Sequence, residues 1–431
     1  MFVNVKRICS VVAVALFLNT SLALVQPPQA SAADTNTADL QLNASSAILM
    51  EASTGQILYE YNADKALPPA SMAKMMTEYL VMDAIESGKI KTTDMVNTTP
   101  AAADAIGSGQ LLALNEQATV DNMFAAMSIY SSNDATVALA EAIAGSEESF
   151  AKMMNEKAKE FGLSPDAHFI NSTGLSRADM GKYAPKELQG ETLLSAKDAA
   201  LIAYHLINDH KNLLEYTKTP ARKFRETDKS PMINWNWMLA DNKSNKNFAK
   251  YAYEGLDGLK TGHTDEAGYC FTGTAERNGM RLISVVMGTG PKEEARFIET
   301  RKVLDYGFNN FAPKQVLTAK AEIDSLKTVN IKKGVQLEVP VVTQTGLTLI
   351  AKKGTPDDQF KVTAQALDES KLTAPIEKGQ VVGTAKVTYE GKEYNVNLIT
   401  TEEVEKAGWF RLFFRAIKQF FIDTLSGAKN G

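Results

Sequence analysis

Three short motifs hold residues able to do covalent chemistry. Ser71-Met72-Ala73-Lys74 follows Leu67-Pro68-Pro69. Prolines suit a loop entering a helix, which puts Ser71 in the first turn and Lys74 one turn on, on the same face. A serine hydroxyl is a poor nucleophile until a base takes its proton. A lysine can be that base if burial or a second cation holds its amine neutral. The helix N-terminus adds N–H groups and positive potential for a developing oxyanion. Alone the motif is weak, because Ser-x-x-Lys recurs at Ser149/Lys152 and Ser426/Lys429, where a solvated helix face is the plain reading.

The second motif, Ser131-Ser132-Asn133, is the only Ser-x-Asn of the chain. It breaks an apolar run and precedes a helical one, so by itself it reads as an N-cap. Its chemical reading needs Ser131 to relay a proton and Asn133 to hold a substrate carbonyl. The third, Lys260-Thr261-Gly262, also occurs once. It is expected to enter, at a sheet edge, the strand that becomes the Asn278-Gly279 hairpin; a glycine there lets a ligand backbone approach, and an extended peptide can add as a strand. Lys260 would supply the second cation; the bland alternative is a turn before a strand.

These residues need elements to bring them together. Ala47-Ile48-Leu49-Met50 and Gln56-Ile57-Leu58-Tyr59 flank Ser53-Thr54-Gly55 as a hairpin. Residues 269–275 and 281–287 flank Asn278-Gly279, a stronger hairpin signal because Asn-Gly accepts positive φ. Met72, Met75, Met76, Tyr79 and Leu80 recur at helical spacing, with Gly88 as the stop, and residues 135–144 form a second helix closed by Gly145. Strands at both ends with helices between predict one sheet assembled from distant parts of the chain, with a helical insertion. After Pro313 the texture changes. Residues 314–400 show short alternating runs punctuated by Gly334, Gly346, Gly354, Gly379 and Gly391, the pattern of a small all-β sandwich without a catalytic cluster. In residues 406–425, Trp409, Phe410, Leu412, Phe413, Phe414, Ile417, Phe420 and Phe421 share one arc, opposite Arg411, Arg415 and Lys418. An aromatic face opposite a basic one suits a helix lying in a membrane interface, and it is too charged to span.

The whole chain has 431 residues, 44% hydrophobic and 23% charged. That is enough to bury a sizeable core in two or three domains, against wholesale disorder. With 46 basic and 51 acidic residues the net charge is −5, which disfavours a general nucleic-acid binder. Two Cys and four His are too few for a disulfide scaffold or a zinc-finger array. Lys6 and Arg7, an apolar run over residues 8–18 and Ala30-Ser31-Ala32 read as a cleavable signal peptide over residues 1–32. Its removal leaves Cys270 alone, expected as inert core in an apolar strand. His168, His205 and His210 read as packing or surface residues, since their spacing matches no zinc motif. No metal or organic cofactor is called for.

Taken together and in this order, the three motifs resemble the penicillin-binding protein and serine β-lactamase superfamily. Gly255-Leu256-Asp257-Gly258-Leu259-Lys260-Thr261-Gly262-His263-Thr264 and Asn171-Ser172-Thr173-Gly174-Leu175 narrow the likeness to the low-molecular-mass D-alanyl-D-alanine carboxypeptidases. So does the layout: signal peptide 1–32, catalytic domain 38–313, β domain 314–400 and anchor helix 404–426. The resemblance implies an α/β (α+β) catalytic domain with an antiparallel sheet and a helical insertion. It implies that Ser71 attacks between the two terminal D-alanines of a peptidoglycan stem peptide, that Lys74 is its general base and that Ser131 passes the proton on. Asn133 would orient the peptide, and Lys260 would support the relay within the Lys260-Thr261-Gly262 motif. The backbone N–H groups of Ser71 and His263 would form the oxyanion hole, and Arg296 would bind the terminal carboxylate. A triad of His263 with Ser71 is disfavoured because the lysine already explains activation. Penicillins should acylate Ser71 too. The expected location is the outer face of a bacterial cytoplasmic membrane. A β-lactamase and a DD-endopeptidase are the alternatives; Glu187 and Glu191 lie where a deacylating glutamate would fall, but not in its Glu-x-x-x-Asn pattern.

Overall fold

The structure, a computed structural model, describes residues 39–427. The expected signal peptide lies outside the described residues. The first two strands, β1 (Ser46–Glu51) and β2 (Ile57–Tyr61), form the expected hairpin. A one-turn 3₁₀ segment, Ala70–Ala73, leads into α1 (Lys74–Glu86). There follow α2 (Val120–Tyr130), α3 (Asn133–Ala144), α4 (Glu147–Glu160) and α5 (Ala196–Asp209). The chain then returns to the sheet through β3 (Leu256–Thr264), β4 (Gly268–Arg277) and β5 (Met280–Thr289), and α6 (Ala295–Asn310) closes this part.

The sheet is antiparallel, in the order β2-β1-β5-β4-β3. Its middle is covered on both faces. Along β1, Ile48 and Met50 join the core of the helical insertion, while Ala47 and Leu49 join a second core with Phe297, Val303 and Leu304 of α6. This is the two-residue side-chain period of a strand, read against an apolar layer on either side. It also explains why β1 is buried throughout.

Two expectations need correction. Lys260-Thr261-Gly262 does not enter the Asn278-Gly279 hairpin. It lies inside β3, a strand of its own on the sheet edge, with Lys260 opposite Thr272 and Gly262 opposite Cys270. A run of Gly, Lys, Thr and His has too little β-branched or aromatic character to announce a strand. Ser71, for its part, sits in the 3₁₀ turn ahead of α1 rather than in the α-helix.

Beyond α6 the chain is β-rich. The strands β6 (Phe311–Leu317) and β9 (Leu347–Lys352) make a two-stranded sheet. The other five are β7 (Thr328–Asn330), β8 (Glu338–Thr343), β10 (Lys361–Ala366), β11 (Val381–Tyr389) and β12 (Lys392–Thr400). They form a sheet in the order β7-β8-β12-β11-β10. Leu317, Leu349 and Ala351 of the small sheet pack on Ala385, Val387, Val396 and Leu398 of the large one, which is the expected sandwich. The last helix, α7 (Trp409–Gly427), follows.

Candidate active site

Two serine–lysine pairs meet in one cleft. In the first, Lys74 Nζ lies 2.9 Å from Ser71 Oγ. It also lies 2.7 Å from Asn133 Oδ1 and 3.0 Å from the Thr173 carbonyl. In the second, Lys260 Nζ lies 2.8 Å from Ser131 Oγ and 3.2 Å from the Thr261 carbonyl. Both lysines are buried. A cleft of about 350 Å³ opens over them, lined by Ser71, Ser131, Asn133, Trp235, Thr261, Gly262, His263 and Arg296.

Close packing builds the first pair. Ala70, just before Ser71, has φ +48°, a conformation that costs a non-glycine residue on the order of 1–3 kcal/mol and persists only where its surroundings hold it. Gly174 does so: at φ +80°, a Cβ there would stand 2.0 Å from the Ala70 carbonyl oxygen. The Asn171 side chain shapes the same loop by accepting from the Thr173 and Gly174 backbone N–H groups. This aims the Thr173 carbonyl at Lys74. Gly262 also serves packing, since a Cβ there would lie 2.6 Å from the Pro69 carbonyl oxygen and 3.2 Å from Met72 N. The edge strand can therefore rest on the turn that carries Ser71.

The second pair depends on a corner. Ser131 takes φ +62°, ψ +31° between α2 and α3, so the chain turns sharply and its hydroxyl meets Lys260 from the next layer. Ser132 is the N-cap of α3, though without a side-chain capping bond. Asn133 is engaged at both ends: Oδ1 accepts from Lys74, and Nδ2 donates to the Ile106 carbonyl at 2.6 Å. Asp134 accepts from the Gln110 and Leu112 backbone N–H groups, fixing a loop against the cleft.

The electrostatics separate the two amines. Burial first, and then the positive charge of Lys260, holds Lys74 well below the usual lysine range. Burial also lowers Lys260, helped by Arg296, while Glu78 works the other way. A neutral Lys74 has two N–H groups and one lone pair. Asn133 Oδ1 and the Thr173 carbonyl can take the two N–H groups, which leaves the lone pair for the Ser71 hydroxyl. An amine so placed can accept a proton as the oxygen attacks.

His263 is exposed, and its ring stacks on Tyr269 with centroids 4.0 Å apart rather than bonding to Ser71. Arg296 is buried in the first turn of α6; it donates to the Gly262 carbonyl at 3.3 Å and pairs with Glu293 at 2.5 Å. Its Nε is a buried donor with no partner. Cys270 is a buried free thiol that burial pushes up to about 11. Glu187 is exposed and pairs with Lys152, and neither Glu187 nor Glu191 lines the cleft. The second Ser-x-x-Lys is thus a solvated helix face, with Ser149 bonded to Ser146. His210 is buried between Asp83 and Glu86, and His205 stacks on Phe161. Among the described residues no group of three or more His, Cys, Asp or Glu could hold a metal ion. A larger cavity of about 450 Å³ between Met95, Glu116, Arg222 and Glu226 has no nucleophile–base pair. Its Arg222 and Arg225 are paired with Asp121 and Glu116.

Sequence reasoning missed Trp235, Glu293, Glu78 and the Thr173 carbonyl. The Thr173 contact had a signal, because Asn171-Ser172-Thr173-Gly174-Leu175 stood out as a motif without a role. Glu78 had a fainter one, as a lone acid four residues after Lys74 among apolar neighbours.

The comparisons with known proteins agree with this geometry. A family model described as D-alanyl-D-alanine carboxypeptidase matches residues 31–290, and one described as Penicillin-binding protein 5, C-terminal domain, matches residues 311–406. The D-alanyl-D-alanine carboxypeptidase DacF of Bacillus subtilis is 36% identical over 383 residues, 88% of this chain and 91% of the relative. Penicillin binding protein 5 from Haemophilus influenzae has a similar structure, with a TM-score of 0.67 at 32% identity, covering 85% of this chain and 98% of that one. Penicillin-Binding Protein D2 from Listeria monocytogenes, solved in an ampicillin-bound form, gives a TM-score of 0.52 at 34% identity over 62% of this chain and 98% of that one. The chain therefore belongs to the D-alanyl-D-alanine carboxypeptidases, as a serine enzyme among the low-molecular-mass penicillin-binding proteins.

Proposed function

We propose that this cleft removes the terminal D-alanine of peptidoglycan stem pentapeptides through an acyl-enzyme on Ser71. The observation that carries the reading is the convergence of both serine–lysine pairs on one cleft. Lys74 takes the Ser71 proton as Oγ bonds to the penultimate D-alanine carbonyl carbon. The oxyanion that forms faces the backbone N–H groups of Ser71 and His263. As it collapses, the C–N bond breaks, and the leaving amine receives a proton through Ser131, held by Lys260. Asn133 keeps Lys74 in place and borders the peptide. Thr261 and Gly262 offer the strand edge. Arg296, with its unpartnered Nε, receives the terminal carboxylate. Water then hydrolyses the ester.

A β-lactam presents an acyl group to the same serine, so penicillins should acylate Ser71; the ampicillin-bound Listeria relative supports this. We also propose export through a signal peptide over residues 1–32, a catalytic domain over 38–313 and a β domain over 314–400. The helix, expected at 404–426 but beginning at Trp409 because Val404 and Lys406 pair with the sandwich, would anchor the enzyme peripherally at the outer membrane face. No described helix is long and apolar enough to cross a membrane, whereas Trp409, Phe410 and Phe414 of α7 are each more than 60% exposed. Aromatic side chains left in water at that density suit an interfacial helix.

Digestion of a defined pentapeptide with mass analysis tests the reaction. Loss of one terminal alanine, abolished in Ser71→Ala together with labelling by fluorescent penicillin, is expected. Cleavage inside a cross-linked dimer without alanine release would replace this reading with an endopeptidase.

A further inference from the structure

One buried charge has no part in the scheme above. Glu78 stands one turn beyond Lys74 on α1, among Met75, Met76, Tyr79 and Leu80. It is completely buried, and neither carboxyl oxygen makes a well-formed hydrogen bond. Burial pushes its carboxyl up to about 7, against Lys260 foremost, then the Ser128 hydroxyl and Lys74, which favour the ionised form; Ser128 too is buried without a formed bond. Ser128 is one turn before Ser131 on α2. Glu78 therefore lies beneath the corner where the two serine–lysine pairs meet.

The other buried acids nearby have donors of their own. Glu147 accepts from the Ser172 hydroxyl and backbone N–H, and Asp134 accepts from the Gln110, Leu112 and Ala135 backbone N–H groups. Glu78 lacks such a set. A carboxylate in a dry interior persists only if a cation compensates it. The cations that act on Glu78 are Lys260 foremost and Lys74 second. Arg296 acts in turn on Lys260, while Glu147 and Asp134 act on Lys74.

We infer that Glu78 is a positioning residue for acylation: its buried carboxylate keeps one proton on the amine pair, so that Lys260 remains an ammonium while Lys74 is a free amine. The inference rests on the roles proposed above for Ser71, Lys74 and Lys260. Two amines buried side by side would both tend to shed their protons. One anion beneath them retains one proton, and the cluster is neutral in sum. The proton belongs on Lys260, which interacts more strongly with Glu78. Lys74 is then the base that Ser71 requires. The two amines are alike in chemistry and differ in how strongly each interacts with a third group.

The test is the pH dependence of Ser71 acylation by fluorescent penicillin, measured on the full chain. An opposite charge near an amine raises its pKa by about 1–3. Glu78→Gln should therefore move both the acid and the alkaline limb to lower pH by that order. On the alkaline side of the wild-type optimum, a limb displaced by one pH unit should cost about tenfold in rate. Glu78→Asp keeps the charge and should hold the limbs near their wild-type positions. If Glu78→Gln does not fold, Glu78→Ser removes the charge with less volume and carries the same readout. Wild-type limbs in a charge-free variant whose only change is a lower Tm would overturn the inference and make Glu78 a packing residue. Persistent labelling in Ser71→Ala would instead overturn the underlying reading, so the two failures are distinguishable.

Discussion

The catalytic cleft and the C-terminal helix break the same rule in opposite directions. Folded proteins place charge outside and large apolar side chains inside. In the cleft, Lys74, Glu78, Lys260 and Arg296 are all buried. On α7, Trp409, Phe410, Phe413, Phe414 and Phe421 are all exposed. Each departure costs stability, and each sits where the proposed work is done. Burial lowers both lysines, as the proposed base and the proposed relay require, and an exposed aromatic face suits the proposed contact with a lipid surface. Between them, the β sandwich obeys the rule, with alternating strands over apolar cores, and holds no reactive constellation.

The comparison is sharpest where one region is damaged and the other is read out. The largest effect belongs to Lys74→Ala, which should slow acylation by penicillin about 10²–10⁴-fold, the usual range for losing a general base. Vesicle binding should not change. Normal acylation in that variant, followed by stopped-flow labelling, would remove the amine from the mechanism. The reverse experiment deletes the helix. Ala407 is buried and its N–H donates to the Lys333 carbonyl at 2.8 Å, and Lys406 bridges to Gly334. The cut therefore belongs after Ala407, because cutting earlier would damage the sandwich. Removing residues 408–431 should lower partition into anionic vesicles by at least about 10²-fold, given roughly 1.5–3 kcal/mol for each fully buried aromatic side chain. Pentapeptide turnover in solution should stay as it was. Persistent binding in a sedimentation assay would place the membrane contact elsewhere.

A smaller effect follows from the pH profile of the intact enzyme. Lys74 must be neutral to act as base, and burial lowers it, so activity should rise with pH through a value well below the ~10.4 of a free lysine. Lys260 must be protonated to steady the relay, and it too is lowered. Activity should therefore fall again on the alkaline side, also below the ordinary lysine range, by about tenfold per pH unit beyond the limb. A profile of kcat/KM that is flat up to about pH 10, near the free-lysine value, would contradict the burial of these amines.

How much of this was readable in advance depended on what kind of group did the work. Ser71, Lys74, Ser131, Asn133 and Lys260 were legible because the chemistry demands those side chains in those short spacings. The hairpins were legible because Asn278-Gly279 is one of the few dipeptides that accept positive φ at a tight turn. The Thr173 carbonyl was not, since any residue carries one and only the Asn171 turn aims it. A second reason for Gly262 was not legible, because closeness to Pro69 and Met72 is a fact of packing between strand and turn. Lys260 was placed on an edge strand, but on the one that becomes the Asn278-Gly279 hairpin; β3, a strand of its own, spells Leu-Asp-Gly-Leu-Lys-Thr-Gly-His-Thr, and its pairing with β4 outweighs its weak local preference.

From its sequence the helix is expected to lie in a membrane interface, with Arg411, Arg415 and Lys418 together on the arc opposite the aromatic one. The structure takes Arg415 out of that set. Its guanidinium donates from Nη1 to the Gly334 carbonyl at 2.6 Å and from Nη2 to the Val335 carbonyl at 2.9 Å. Both acceptors belong to the loop before β8, so the first half of α7 is held to the sandwich rather than tethered loosely. Charge-assisted bonds of this kind contribute on the order of 1.5–3 kcal/mol when formed, less where water competes. Arg415→Ala should therefore make α7 more open to limited proteolysis. It should lower vesicle partition only a few-fold, because the aromatic face is intact, and leave acylation of Ser71 alone. Arg411→Ala, which removes the same charge without a bond to the sandwich, separates the two contributions. If it matches Arg415→Ala in both assays, the carbonyl contacts are incidental and attraction to anionic lipid is the whole effect. If only Arg415→Ala exposes the helix to protease, the sandwich acts as a rigid arm between membrane and cleft.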